Sequence, residues 1–349
     1  VTCILLLISA AAGAAPSEKA IRVAENMLLY QRGNGGWPKG YDRNAELTPE
    51  RKQRLLGQRN REDTTFDNGA THSEVKYLAR MYGQTGDERF REAVVRGIDF
   101  MLGAQHDNGG WPQFYPDLNG YHKHITFNDG AMIGVMTVLR DIAREESEYR
   151  FVDAERRALA AAAVKKGILC ILKCQIIVDG RRTAWCAQHD RETFAPAKAR
   201  SYELPSISGS ESVGVVRFLM GIEEPGEEIV DAIQSAVAWF DRAKLEGIKQ
   251  VGQEDASKPR GWDKVVVHDP SAPPMWARFY EIGTNKPIFC SRDGIPKATL
   301  AEISYERRTG YSWLGHYASS LLAKDYPAWC KKVGQPSVLA DPSSIPASD

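Results

Sequence analysis

The pentapeptide Asn34-Gly35-Gly36-Trp37-Pro38 returns unchanged at Asn108-Gly109-Gly110-Trp111-Pro112. Ahead of each copy, in AIRVAENMLLYQRG and VRGIDFMLGAQHD, apolar residues recur at helical spacing and a polar or glycine end closes the run. Behind each copy a polar stretch leads into a second helical pattern, TTFDNGATHSEVKYLARMY or ITFNDGAMIGVMTVLRDI. Within these, Phe66-Asp67-Asn68-Gly69-Ala70 aligns with Phe127-Asn128-Asp129-Gly130-Ala131, with carboxylate and carboxamide exchanged at the middle positions. The unit is therefore helix, Gly-Trp-Pro turn, loop, helix. A degenerate third copy runs through KKGILCILKCQI, the Trp185 turn of RTAWCAQHD, and SISGSESVGVVRFLM; EIVDAIQSAVAWFDRAKLEG opens a fourth. Paired helices of this kind bury their apolar faces only by stacking on neighbours. Curved into a ring they make an α/α toroid. The expected fold is thus mainly α, a partial α/α toroid built from helix-pair repeats, with long loops and a few short β-strands. VDGRRTAWCA and GWDKVVVHD are the strand candidates, and Asp255–Pro274 reads as a charged, proline-containing loop.

The chain has 349 residues, 26% of them charged, and its Lys+Arg and Asp+Glu counts are equal at 45, giving zero net charge. Such a balance carries no bulk attraction to nucleic acid or membrane. The opening VTCILLLISAAAGAA reads as a secretory signal peptide, too short to span a bilayer. We divide the chain into this segment (1–15), one catalytic domain (16–335) and a disordered tail (336–349). The mature protein is expected to start near Ala15–Ser17 and to be secreted or periplasmic. Beyond Cys3, the cysteines are Cys170, Cys174, Cys186, Cys290 and Cys330, an odd number, so at least one thiol is free or joins another chain. Cys186 can meet Cys170 or Cys174, and none shows zinc-ligand spacing.

Candidate chemistry gathers at the helix mouths. Asp67-Asn68, Asn128-Asp129 and Ser210-Glu211 suit helix capping, yet equivalent positions of stacked repeats face one rim, where Asp67 and Asp129 can converge. Hard oxygen ligands there, completed by water and a carboxylated substrate, suit Ca²⁺. Arg200 precedes an extended loop, and Arg278 and Arg292 flank the GTNKP turn. Arginine forks grip carboxylates, so the three point to an anionic substrate. Trp37, Trp111 and Trp185 at the same rim either stack on sugar faces or clamp the repeats together.

These features resemble a pectate lyase of polysaccharide lyase family 10. The resemblance runs from about Ala20 to Lys331 and rests on DNGGWPQFYP, HITFNDGAM, TAWCAQHD, ARSYELPSISGSES, RFYEIGTNKPIFCSRDG and YERRTGYSWLG. It implies Ca²⁺-dependent anti β-elimination of polygalacturonate or pectin with an arginine as general base. By position Arg200 takes that role, Asp129 and Asp67 the metal, and Asp67, Arg278 and Arg292 the substrate. Trp111 is placed beside the substrate too, and Asp190 would orient a cleft group. A monomer is expected. Rival readings are an inverting glycoside hydrolase using Asp67 and Asp129, and a non-catalytic acidic-polysaccharide binder. His189 with Asp190 is a rival acid–base pair, and His122 and His124 are candidates to line the cleft.

Overall fold

Capping residues start the helices where the apolar periodicity begins. Ser17, Thr48, Asp87 and Asp153 each accept a backbone N–H at the first turn of α1 (Glu18–Tyr30), α2 (Pro49–Leu56), α4 (Glu88–Gly103) and α6 (Ala154–Cys174). The computed structural model describes residues 15–339. Its other helices are α3 (His72–Thr85), α5 (Ala131–Ala143), α7 (Glu211–Met220), α8 (Glu227–Arg242), α9 (Tyr305–Gly310) and α10 (Tyr326–Val333). Helices α3, α5 and α7 form one layer, each against the next, while α4, α6 and α8 form the other. The fold is the partial α/α toroid expected, with apolar residues of every pair merged into one core. Strands are mostly two residues long; the exception is the antiparallel hairpin Ile248–Glu254 with Trp262–His268. The segment read as a loop, Asp255–Pro274, thus contains the hairpin turn and its second strand.

The repeated turn has a structural answer. The Trp37, Trp111, Trp185 and Trp276 indoles each donate to a carbonyl in the last turn of the preceding helix: Met27, Met101, Ile171 and Phe240, at 2.7–2.9 Å. These are carbonyls at the helix end, where intrahelical partners run out. The Trp37, Trp111 and Trp185 carbonyls then accept from Thr65, Thr126 and Ser208. Each acceptor thereby fixes the chain two residues before a helix mouth. Gly35 and Gly109 are required: both have positive φ, and a Cβ would lie 2.2 Å from the Arg96 carbonyl or 2.3 Å from that of Lys166. A further repeated tie comes from Gln31, Gln105 and Gln175, whose Nε2 bridges the turn to Ala93, Ala163 or Ala232 on the next outer helix.

The segment read as a signal peptide lies outside the described residues, except Ala15. Of the segment read as a tail from 336, the first residues make contacts with the domain. Pro336 accepts from Gln234, and Val338 donates to the Tyr326 hydroxyl; residues 340–349 lie outside the described part. Cys170, Cys174, Cys186, Cys290 and Cys330 are buried free thiols. No described helix is long and apolar enough to cross a membrane.

Candidate active site

The swapped pair acquires its meaning from the backbone. Asp67–Gly69 and Asn128–Gly130 are matching 3₁₀ turns whose middle residues, Asn68 and Asp129, have φ of 53° and 50°. Asn and Asp tolerate this left-handed region better than other non-glycine residues. In both turns the first residue is buried and the second exposed. The exchange therefore places one carboxylate inside, at Asp67, and the other on the surface of the cleft, at Asp129. The two turns touch, and the negative Asp67 adds to the rise of the Asp129 carboxyl.

Asp67 is 3% exposed and needs partners. Gln113 Nε2 donates to its Oδ1 at 2.9 Å and Lys39 Nζ to its Oδ2. Lys39 and Gln113 occupy the same offset after the two NGGWP copies, so both turns deliver a side chain to one carboxylate. Burial works to raise the Asp67 carboxyl, but these two partners outweigh it and hold it below the ordinary range. Asp129 goes the other way. Burial raises it, Arg278 opposes, and the negative Glu211 and Asp67 add to the rise.

Arg278 lies among the carboxylates. Its Nη2 donates to Glu211, to Asn128 Oδ1 at 3.2 Å and to Asp129 Oδ1 at 3.4 Å, and only 9% of the residue is exposed. Its guanidinium covers the Tyr311 ring at 4.8 Å. Arg200 stands over the same ring at 5.8 Å and over Tyr202 at 5.1 Å. Arg292 and Arg307 share Tyr202, at 5.7 and 4.5 Å. The three arginines singled out by sequence are thus brought together around two tyrosines, with Arg307 as a fourth. Arg292 and Arg307 both bind Glu306, and these bonds push its carboxyl down to about 2. Tyr121, in the turn Gly120–Lys123, is pushed up by burial and lies within electrostatic range of Arg200, Glu203 and Asp67.

The sequence model of the pectic acid lyase family matches residues 31–322, which include every one of these side chains. The chain belongs to this family. The wild-type family 10 polysaccharide lyase from Cellvibrio cellulosa is 39% identical to it, over 90% of this chain and 92% of the other, with a TM-score of 0.78. A mutant of that enzyme in complex with trigalacturonic acid matches at the same identity and TM-score, over 90% and 93% of the two chains. The search of curated proteins returned no match.

Several expectations change. Trp111 does not face substrate: it is fully buried, as are Trp37 and Trp185, because each indole N–H is committed to a helix-end carbonyl. Asp190 commits one oxygen to its own loop. Its Oδ1 accepts from the Glu192 and Thr193 amides and the Thr193 hydroxyl, closing a local turn. His189 is fully buried, with Nδ1 bonded to the Phe194 carbonyl and Nε2 accepting from Cys186 N–H. Burial pushes it down to about 4, so it stays neutral and has no free nitrogen for acid–base work. His122 stacks on Phe114, the ring that Lys39 also covers. A cavity of about 750 Å³ beside the long hairpin holds none of the pectic acid lyase site, its lining running from Leu245 and Lys264 to Leu300 and Arg308.

Proposed function

We propose that this pectic acid lyase cleaves α-1,4-linked polygalacturonate by calcium-dependent anti β-elimination, with Arg200 as general base, releasing 4,5-unsaturated oligogalacturonides. The observation that carries this is the grouping of Arg200, Arg278 and Arg292 around Tyr202 and Tyr311, with Arg278 itself bonded to Asp129 in the turn that touches the Asp67 turn. The donor set fits a hard cation. Two carboxylates meet there, burial with the negative Glu211 and Asp67 raises Asp129 against Arg278, and the adjacent Gln113 Oε1 is buried with no partner. Among the described residues no three His, Cys, Asp or Glu side chains converge as a metal cluster. Asp67 and Asp129 therefore supply part of a coordination shell, leaving positions for water and a substrate oxygen. When bound, calcium neutralises the substrate carboxylate and stabilises charge that develops beside it.

The remaining steps belong to the chain's own residues. Arg278 and Arg292 bind substrate carboxylates, with Tyr202 and Tyr311 holding the arginines in place. The C5–H bond breaks and its proton passes to neutral Arg200. The released electron pair forms the C4–C5 double bond as the C4–O bond breaks, and water protonates the departing oxygen. An inverting hydrolase would need its carboxylates roughly 6.5–9.5 Å apart with a water between, and would leave the arginines grouped around Tyr202 and Tyr311 without a role. We assign the enzyme to action as an exported monomer. Mass spectrometry of the polygalacturonate digest tests the chemistry. Elimination yields fragments whose new ends lack the elements of water; fully hydrated fragments alone would refute it.

Lys39 bears on metal entry, because it occupies the Asp67 oxygen that a cation must reach. Lys39→Met is expected to bind Ca²⁺ more tightly in the absence of substrate. Lys39 is half-exposed although Asp67 is buried, so the gain is about 1 kcal/mol, roughly fivefold. Calorimetric titration of the two proteins reads this directly. Equal or weaker binding in the variant would show that Lys39 does not compete.

A further inference from the structure

Arg200 is held in an asymmetric way. Its Nε donates to Glu203 Oε2 at 2.7 Å and its Nη2 donates to Glu203 Oε1. The Arg200 amide adds a third bond to the same carboxylate at 3.2 Å, and the Glu203 amide returns to the Arg200 carbonyl at 2.9 Å. Glu203 is itself fixed from the far side by the Tyr311 hydroxyl, which donates to Oε1 at 2.8 Å. The carboxylate is 3% exposed while the arginine side chain is 42% exposed. Nη1 makes no hydrogen bond within the described residues. The anchored edge of the guanidinium is buried, and the free nitrogen belongs to the edge directed away from the anchor.

We infer that Glu203 is the positioning residue of Arg200, and that its two-pronged grip makes Nη1 the atom that receives the substrate proton. This rests on Arg200 being the base of the proposed elimination. The reasoning is tautomeric. In a neutral guanidine one nitrogen is an imine with an in-plane lone pair, and an imine Nη still keeps one N–H. If Nε were the imine, or if Nη2 lost the N–H that points at Glu203, a lone pair would face the carboxylate and a charge-assisted bond would be lost. The forms that keep both donors on Glu203 put the lone pair on the opposite edge, where Nη1 is the nitrogen with no bond among the described residues. The same grip sets how readily the neutral form appears. Burial pushes Arg200 toward neutrality, but Glu203 outweighs it and holds the guanidinium above the ordinary arginine value. The other groups that face Arg200 are Tyr202, Tyr311 and Tyr121, with Arg292 and Arg307 across Tyr202 and Arg278 across Tyr311. Of all these, Glu203 is the carboxylate in direct contact.

The sign of the pH dependence follows. Raising pH increases the neutral fraction of Arg200, so kcat/KM climbs on an alkaline limb. Removing the negative charge makes Arg200 easier to deprotonate. In Glu203→Gln the limb is expected to move toward acid by roughly one to three pH units, while the ceiling of kcat falls because the tautomer is no longer fixed and KM changes little. A limb that keeps its position and loses only height would reduce Glu203 to a structural support and overturn the inference. Should Glu203→Gln fail to fold, Tyr311→Phe gives the second test. It keeps the ring but frees Oε1 to bind Arg200 more strongly, so the limb moves toward alkali; an unmoved limb there also overturns the proposal. Arg200→Lys separates the two levels. A lysine base titrates lower, so its limb must move toward acid if residue 200 is the base. An unmoved limb in Arg200→Lys would sink the base assignment itself. A moved limb there, with an unmoved one in Glu203→Gln, would sink only the role of Glu203.

Discussion

Arg200→Ala is expected to lower the rate of unsaturated product formation by roughly two to four orders of magnitude, the usual contribution of a positioned general base. The fold should survive. The side chain is 42% exposed, so little packing is lost. Glu203 keeps the Tyr311 hydroxyl and the residue 200 amide as donors, so its carboxylate stays hydrogen-bonded, but it loses its cation and the unfolding midpoint is expected to fall. Initial rates on polygalacturonate, measured beside thermal unfolding of both proteins, check the two halves together. Full activity with an intact fold would mean that another group takes the proton.

Arg278→Ala is expected to fail differently, in stability as well as activity. Arg278 is the cation that Glu211, Asn128 and Asp129 share, and its removal leaves Glu211, itself 8% exposed, without its charged partner. Breaking one side of a buried ion pair costs about 3–5 kcal/mol. The Ser208 hydroxyl still donates to Glu211 Oε2 at 2.5 Å, which moderates the loss without cancelling a charge. Urea unfolding should show the drop in midpoint. Binding of oligogalacturonate should fall along with it. Addition of Ca²⁺ is expected to restore part of the stability, since a cation at Asp129 neutralises the same cluster. A variant as stable as the wild type would show that Glu211 takes up a proton at little cost.

The contrast between these two arginines indicates what a sequence can reveal. The helix pairs were legible because apolar spacing and the NGGWP turns repeat, and repetition implies equivalent positions. The same logic found Asp67 and Asp129, since FDNGA and FNDGA align despite the exchange. It could have found Lys39 and Gln113, which follow the two turns at one offset, but nothing in one sequence says that they meet on Asp67. The Gln31, Gln105 and Gln175 ties also lie at similar places in each repeat, with acceptors 57–62 residues away. Glu203 sits three residues after Arg200, near enough to suspect; its burial and its bond to Tyr311, 108 residues on, are tertiary facts. Arg307 lies in YERRTGYSWLG, where nothing in one sequence sets it apart from Arg308. Trp111 was misplaced for a physical reason. A tryptophan that stacks on sugar and one that closes a helix end look identical until the carbonyl it serves is seen.

Elimination is the central claim, and near-ultraviolet absorbance of polygalacturonate incubated with the purified chain tests it most directly. The account predicts a rise in CaCl₂ from the conjugated 4,5-double bond, arrest of that rise on adding EGTA, and near-absence of it in Arg200→Ala. New reducing ends without any rise in absorbance would contradict it and identify a hydrolase instead.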